Sequence, residues 1–437
     1  MNLLSLRLST IAILLIAVAT PAFGGRMLES AGPAESPRTT APEATEAPIT
    51  DVDDEGEELT RDPDMTPESA EGSGDDLPVE ETPTPPPSRW QWKRSLSLGV
   101  SADDNVYLSP SHKKSDMIFT LGGNFQLLWG LKQEESYLMI DYTPSVIVFA
   151  DQSRANAFDQ KVGVAGQWRV AKLTLGVQAG AQSLSGSDTD VGGRADRSLW
   201  QVSLQAKYEY STKTSFEVNL APNAADYSHY LDSIEWTNSN WVDYQAFPKT
   251  RVGAGLTFGY LKPAGGSAQT YQEALVRITN PLSGKLTINA SGGVQYRQLG
   301  SGGGTQTTPV FRVGASYQPF DGTAISVEAS RRIYSSAATV GQNFAATGGT
   351  VSVRQRLFDR FFATVAGGYE DAAYQSTGGQ EDIPRHDQYA FVRPSIAFAF
   401  RKWVNLELYY QYRRNLSTTL FSDFDSNVAG AQASVSF

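Results

Sequence analysis

The chain has 437 residues, a formal net charge of −11, no Cys and three His. That removes disulfides, thiolate metal sites and cysteine nucleophiles, and it argues against a nucleic-acid partner. After the first 25 positions no run of 18 apolar residues occurs, which excludes a helical membrane span there.

The chain opens with Arg7, the apolar run Ile11–Ala19, and Pro21-Ala22-Phe23-Gly24. This is the layout of a secretory signal peptide, so residues 1–24 are expected to be removed after Gly24. Residues 26–88 carry 18 Asp and Glu against Arg26, Arg38 and Arg61, hold 11 of the 22 Pro, and contain no Phe, Tyr or Trp. Such a stretch cannot bury enough apolar surface to offset its chain entropy. Residues 25–88 are therefore expected to be a disordered, acidic, Pro-rich periplasmic segment, ending in the stiff run Pro83 to Pro87. Its charge makes it a candidate contact for a periplasmic export partner.

From Ser95 to Phe437 the pattern changes to two-residue alternation. Thr350–Leu357 puts Val351, Val353 and Leu357 on one face and Ser352, Arg354 and Arg356 on the other. Arg251–Tyr260 opposes Val252, Ala254, Leu256, Phe258 and Tyr260 to Arg251, Gly253, Gly255, Thr257 and Gly259. These stretches are long for soluble strands, and their polar face is too charged to fill a core. Long strands that are apolar outside and polar inside belong to a transmembrane barrel of a bacterial outer membrane. The fold expected over 89–437 is all-β, a closed antiparallel transmembrane β-barrel of about eighteen strands. Sixteen is the alternative, because 214–247 alternates poorly. The first strand is expected at 94–101, the eighth at 239–247 and the last at 424–437.

Connections are expected to alternate in length. The short set includes Ser211–Lys213, Pro281–Gly284 and Phe320–Gly322; the long set is 102–114, 185–194, 229–238, 301–305, 336–342 and 376–384. Short turns belong in the periplasm and long loops outside, which puts both termini of the barrel in the periplasm. The C-terminal Phe437 suits the closing strand of such a barrel.

The inward face is the richest feature. Alternation turns Lys161, Arg169, Lys207, Arg251, Arg277, Arg297, Arg312, Arg332, Arg354, Arg356, Arg393, Arg401 and Arg413 inward, with Asp141, Glu209, Glu217, Glu273, Glu328, Glu370 and Glu407. Rings of Arg and Lys favour anions, so the pore wall is expected to suit anionic sugar polymers or small anions. A structural ladder of cross-strand ion pairs would use the same residues. Trp129, Trp168, Tyr208, Tyr210, Trp403, Tyr410 and Tyr412 read as an interfacial girdle, while Tyr389 and Tyr409 are inward candidates for sugar stacking. His112, His229 and His386 are expected in outer loops. Asp103-Asp104-Asn105 reads as a turn rather than a cation site. No catalytic set, metal or cofactor is expected.

The run Asp103 to Asp116 (DDNVYLSPSHKKSD), the turn Pro319–Thr323, the stretch Ser330–Tyr334 and the turn Arg356–Arg360 together carry a resemblance. It is to the beta-barrel porin family 2, outer-membrane barrels found with exopolysaccharide operons, and it covers about 95–437. The resemblance implies an outer-membrane barrel serving polysaccharide export or secretion. A general diffusion porin and a structural anchor working through the acidic segment are the alternatives.

Overall fold

The computed structural model describes residues 89–131, 136–300, 302–378 and 384–437. The expectations for the signal peptide and the acidic segment lie outside these residues. Eighteen strands are described. They are β1 (Trp90–Asp103), β2 (Asp116–Leu131), β3 (Ser136–Phe149), β4 (Ala157–Val170), β5 (Leu173–Asp188) and β6 (Gly193–Glu209). Then come β7 (Thr214–Tyr227), β8 (Ser233–Phe247), β9 (Thr250–Pro263), β10 (Gln269–Pro281), β11 (Leu286–Gln298) and β12 (Thr305–Tyr317). The last six are β13 (Thr323–Ser335), β14 (Gln342–Phe358), β15 (Phe361–Ser376), β16 (His386–Arg401), β17 (Val404–Ser417) and β18 (Phe424–Ser436).

Each strand pairs antiparallel with the next, and β1 pairs with β18 through Leu96↔Val435 and Leu98↔Ala433. The sheet is thereby closed on itself, as a spanning sheet must be; the β12–β13 ladder is shorter than its strands and runs from Phe311↔Arg331 to Tyr317↔Ile325. Alternation then sorts the side chains. Leu98, Val276 and Leu408 are 62 %, 66 % and 65 % exposed on the outer face. Bulky apolar groups held outward around a whole barrel face hydrocarbon, not water. Trp90, Trp92, Tyr208, Tyr210 and Trp403 are also exposed, near the short-turn ends of their strands.

Four strand limits differ most from expectation. β1 starts at Trp90, because Trp90 and Trp92 pair with Trp129 and Leu127 of β2 and extend the ladder. β8 starts at Ser233, so much of the expected loop 229–238 is strand: Ile234 and Trp236 point outward while Glu235 points inward. β5 and β6 run on to Asp188 and from Gly193, which shrinks the expected loop 185–194 to 189–192. In addition His386 begins β16 and is not a loop residue; its ring meets Asp371 at 2.7 Å.

The connections do alternate. One end carries short turns such as 171–172, 248–249 and 359–360, together with both ends of the barrel chain. The other carries 104–115, 150–156, 189–192, 228–232, 264–268, 299–300 with 302–304, 336–341, 377–378 with 384–385, and 418–423. The buried apolar clusters gather at this second end. Val106 packs with Phe149 and Ala155, Leu108 with Tyr389 and Phe424, and Phe344 with Ala346, Ala372 and Tyr374.

Candidate functional site: the inner wall and its capped mouth

Period two turns the charged residues of neighbouring strands toward one lumen, where they meet across strands. Arg277 of β10 reaches Asp243 of β8 at 2.5 Å and Glu217 of β7 at 2.8 Å, with its guanidinium 4.3 Å over the Trp241 ring. Arg332 of β13 reaches Glu235 of β8 at 2.8 Å, five strands away, and the Tyr271 hydroxyl donates to the same carboxylate at 2.7 Å. Arg169 pairs with Glu209 at 3.0 Å, Arg413 with Asp103 at 3.1 Å, and Arg393 with Glu407 at 3.6 Å. Arg393 also lies 4.5 Å over Tyr409.

Arg297 is almost fully buried. It donates to Gln269 and Gln295, both at 3.0 Å, and lies 4.6 Å over Tyr271; Gln295 in turn donates to Glu273. Arg354 lies 4.7 Å over Phe362, and Arg356 faces Phe362 in the ladder. Arg312 stands opposite Ser291 and Ser330, Glu328 opposite Thr350, and Glu370 is buried opposite Tyr389. Arg251, beside Gln245, has no carboxylate partner among the described residues. The inward wall is therefore a set of Arg–carboxylate–aromatic clusters, with Arg251, Arg354 and Arg356 toward the short-turn end meeting no carboxylate among the described residues.

Sequence reasoning missed several members. Glu235 fell in an expected loop, and Asp243 lies in the stretch that alternates poorly. Arg197 and Asp188, paired at 3.0 Å and both nearly fully buried, were assigned partly to a loop. The polar run after Asp103 turns out to build its own loop. Asn105 is fully buried and holds Ser109 and the Asp425 carbonyl, while Asp116 accepts from the backbone N–H groups of Met117, Asp151 and Gln152.

The long-loop mouth is spanned. Asp190, in the 189–192 turn, accepts from the Ser336 hydroxyl at 3.0 Å, the Ala337 N–H at 2.7 Å and the Tyr374 hydroxyl at 2.8 Å. Arg385 donates to the carbonyls of Asp190 and Thr189 and forks onto Asp387. In the sheet order β5 and β6 lie half a circuit from β14 and β15, so this turn crosses the mouth. Gly192, at φ +71°, packs against Phe421 and Ser422 of another loop, and Leu231 donates to the Ala337 carbonyl. Asp190, Ser336, Tyr374 and Arg385 are all buried. The loops interlock on Asp190 into one cap.

No family model matches this chain, and no curated protein matches it. Solved barrels are similar in shape. OpdO of Pseudomonas aeruginosa is 12 % identical over 80 % of this chain and 97 % of its own, with a TM-score of 0.43. OpdK of the same organism, solved with vanillate, is 12 % identical over 79 % of this chain and 99 % of its own, at 0.41. OccAB3 of Acinetobacter baumannii is 11 % identical over 79 % and 99 %, at 0.42. These likenesses bear on no residue of the inner wall.

Proposed function

We propose that the chain is an outer-membrane channel, a conduit for anionic cargo between periplasm and exterior, and not an enzyme. One observation carries this reading: a closed barrel with an apolar outer face encloses a wall of charged side chains. Outer-membrane lipid is its surrounding partner. The cargo fits either an anionic sugar polymer, as the porin family 2 resemblance implies, or small anions. The acidic segment 26–88 is assigned to a periplasmic export partner. A general diffusion porin is the second reading, and the cap over the long-loop mouth weighs against it, since such a pore stands open. The test is conductance of the refolded protein in planar bilayers. Discrete, infrequent openings with more chloride than potassium current are expected. A large steady conductance would favour the diffusion porin, and none under any voltage would favour a structural anchor.

A further inference from the structure

We propose that the long-loop ends of β13, β14 and β15, with the loop 336–341, are a hinged gate inside the mouth, which opens by swinging out to complete the β12–β13 ladder. This rests on the channel reading and names the part that opens the channel. The β11–β12 ladder reaches Gln298↔Thr305, and the β13–β14 ladder reaches Ser335↔Asn343. Between them the β12–β13 ladder stops at Phe311↔Arg331, which leaves 305–310 and 332–335 unmatched along this seam. Pro309, which has no N–H to give and belongs at strand edges, lies two residues above the last pair.

Above the seam the wall overlaps itself. On β14 and β15 the odd-numbered residues face outward, with Val351 and Val365 47 % and 50 % exposed. Asn343 and Gln375 continue those faces, with no register shift in between. Yet Asn343 exchanges hydrogen bonds with Gln269 at 2.7 and 3.2 Å, and Gln375 accepts from Gln306. Gln269 and Gln306 lie on the inward faces of β10 and β12, opposite the exposed Val276 and Phe311. The outer face of one part of the sheet therefore rests on the inner face of another: three strand ends have turned inside their neighbours. Ile333 and Ala345, paired and outward by the same alternation, are for this reason only 4 % and 5 % exposed.

The foot of the seam is lined by glycine. Gly348 and Gly349 of β14 stand opposite Ser330 and Ala329, and a Cβ on either would lie 2.7 Å from the carbonyl oxygen of Tyr369 or Glu328. Glycines inside a strand mark a bend or a close approach of backbones. No ladder holds the strand ends inward. They are held by the two amide pairs, by Arg332 on Glu235, and by the loop 336–341 on Asp190 and Leu231. Continuing the existing register sets Val310, Pro309, Thr308 and Thr307 opposite Arg332, Ile333, Tyr334 and Ser335. Ladder bonds then replace those contacts, and Ile333 and Ala345 join the apolar outer face.

The chain has no Cys, so engineered pairs report the two positions. Leu231→Cys with Ala337→Cys spans one backbone hydrogen bond of 2.9 Å, within reach of a disulfide, and ties the gate shut. Thr307→Cys with Ser335→Cys faces across the completed ladder and ties it open. The mature full-length variants are refolded into planar bilayers and measured oxidised and reduced. Oxidation of the first pair should lower the open probability at least tenfold, and reduction should restore it. Oxidation of the second should raise it at least tenfold until the bond is reduced. Openings unchanged by the first disulfide, or a second pair that never joins, would overturn the gate. Should the first variant not refold, Gln306→Ala replaces it: releasing Gln375 should lengthen openings at least threefold, and unchanged openings would overturn the gate. If no form conducts, the channel reading falls, and joining of the second pair, read by mobility on a gel, decides the gate alone. Conductance that ignores both disulfides removes the gate and keeps the channel.

Discussion

Arg277 decides more than its own pairing. Its guanidinium holds both Glu217 and Asp243, and Asp243 is nearly fully buried. Replacing it by Met leaves two carboxylates without a partner. Breaking such a pair costs about 3–5 kcal/mol when buried, and the partial exposure of Arg277 places Arg277→Met near ~3 kcal/mol. The denaturation midpoint of the refolded barrel should fall accordingly. An unchanged midpoint would show that the Arg277 cluster adds no net stability. The inner face of β9 explains how the cluster fits. A Cβ on Gly255 would sit 2.5 Å from the Trp241 ring. Gly255→Val must displace that ring and with it the support of Arg277, at a cost of about 1–3 kcal/mol; an unchanged midpoint would refute this. Alternation alone shows Gly255 facing inward, but only the neighbouring strand shows what lies on it.

Among the elements, the long-loop cap is the clearest case of chain segments serving one another. Asp190 gathers two hydroxyls and a backbone N–H from strands and loops on the far side of the barrel. Asp190→Ala removes all of them at once and leaves their donors buried. Channel openings in planar bilayers should then become longer and more frequent, with the barrel still folded. Unchanged gating would mean that the cap is not the barrier to ions. Orientation is testable by epitope insertion: tags at 301–305 or 376–384 should be reached by antibody on intact cells, and tags at 281–284 only after the outer membrane is opened. The opposite pattern would overturn the assignment of long loops to the outside. Strand existence was legible because each strand faces lipid on one side and water on the other, which forces period two. β8 was half hidden because Ser233, Thr237, Asn238 and Ser239 are polar on both faces, so pairing with β7 and β9 decides its length.

Across the whole barrel, charge is unevenly distributed. Six of the seven described short turns carry a Lys or Arg: Lys172, Lys213, Lys249, Lys285, Arg360 and Lys402. The cap end gathers Asp103, Asp116, Asp188, Asp190 and Asp387 as buried carboxylates. Of the cap-end carboxylates Asp103, Asp188 and Asp387 are paired with Arg413, Arg197 and Arg385, so it is the basic turns whose field steers anions to the short-turn mouth. Chloride should carry more current than potassium, and neutralising Arg251, Arg354 and Arg356 together should reduce that preference. Neutralising Arg332, which is committed to Glu235, should instead cost stability. The preference should shrink between 0.1 M and 1 M salt, as the screening length falls from about 10 Å to about 3 Å. A preference unmoved by the triple change would assign selectivity to other charges.

Sequence by itself determined the class of fold and the strand number, because period-two alternation and turn residues are local properties of the chain. Tertiary structure alone decided which arginine meets which carboxylate and that the loops lock on Asp190. Those contacts join strands up to half a circuit apart. No sequence spacing encodes them, and they exist only once the barrel has closed.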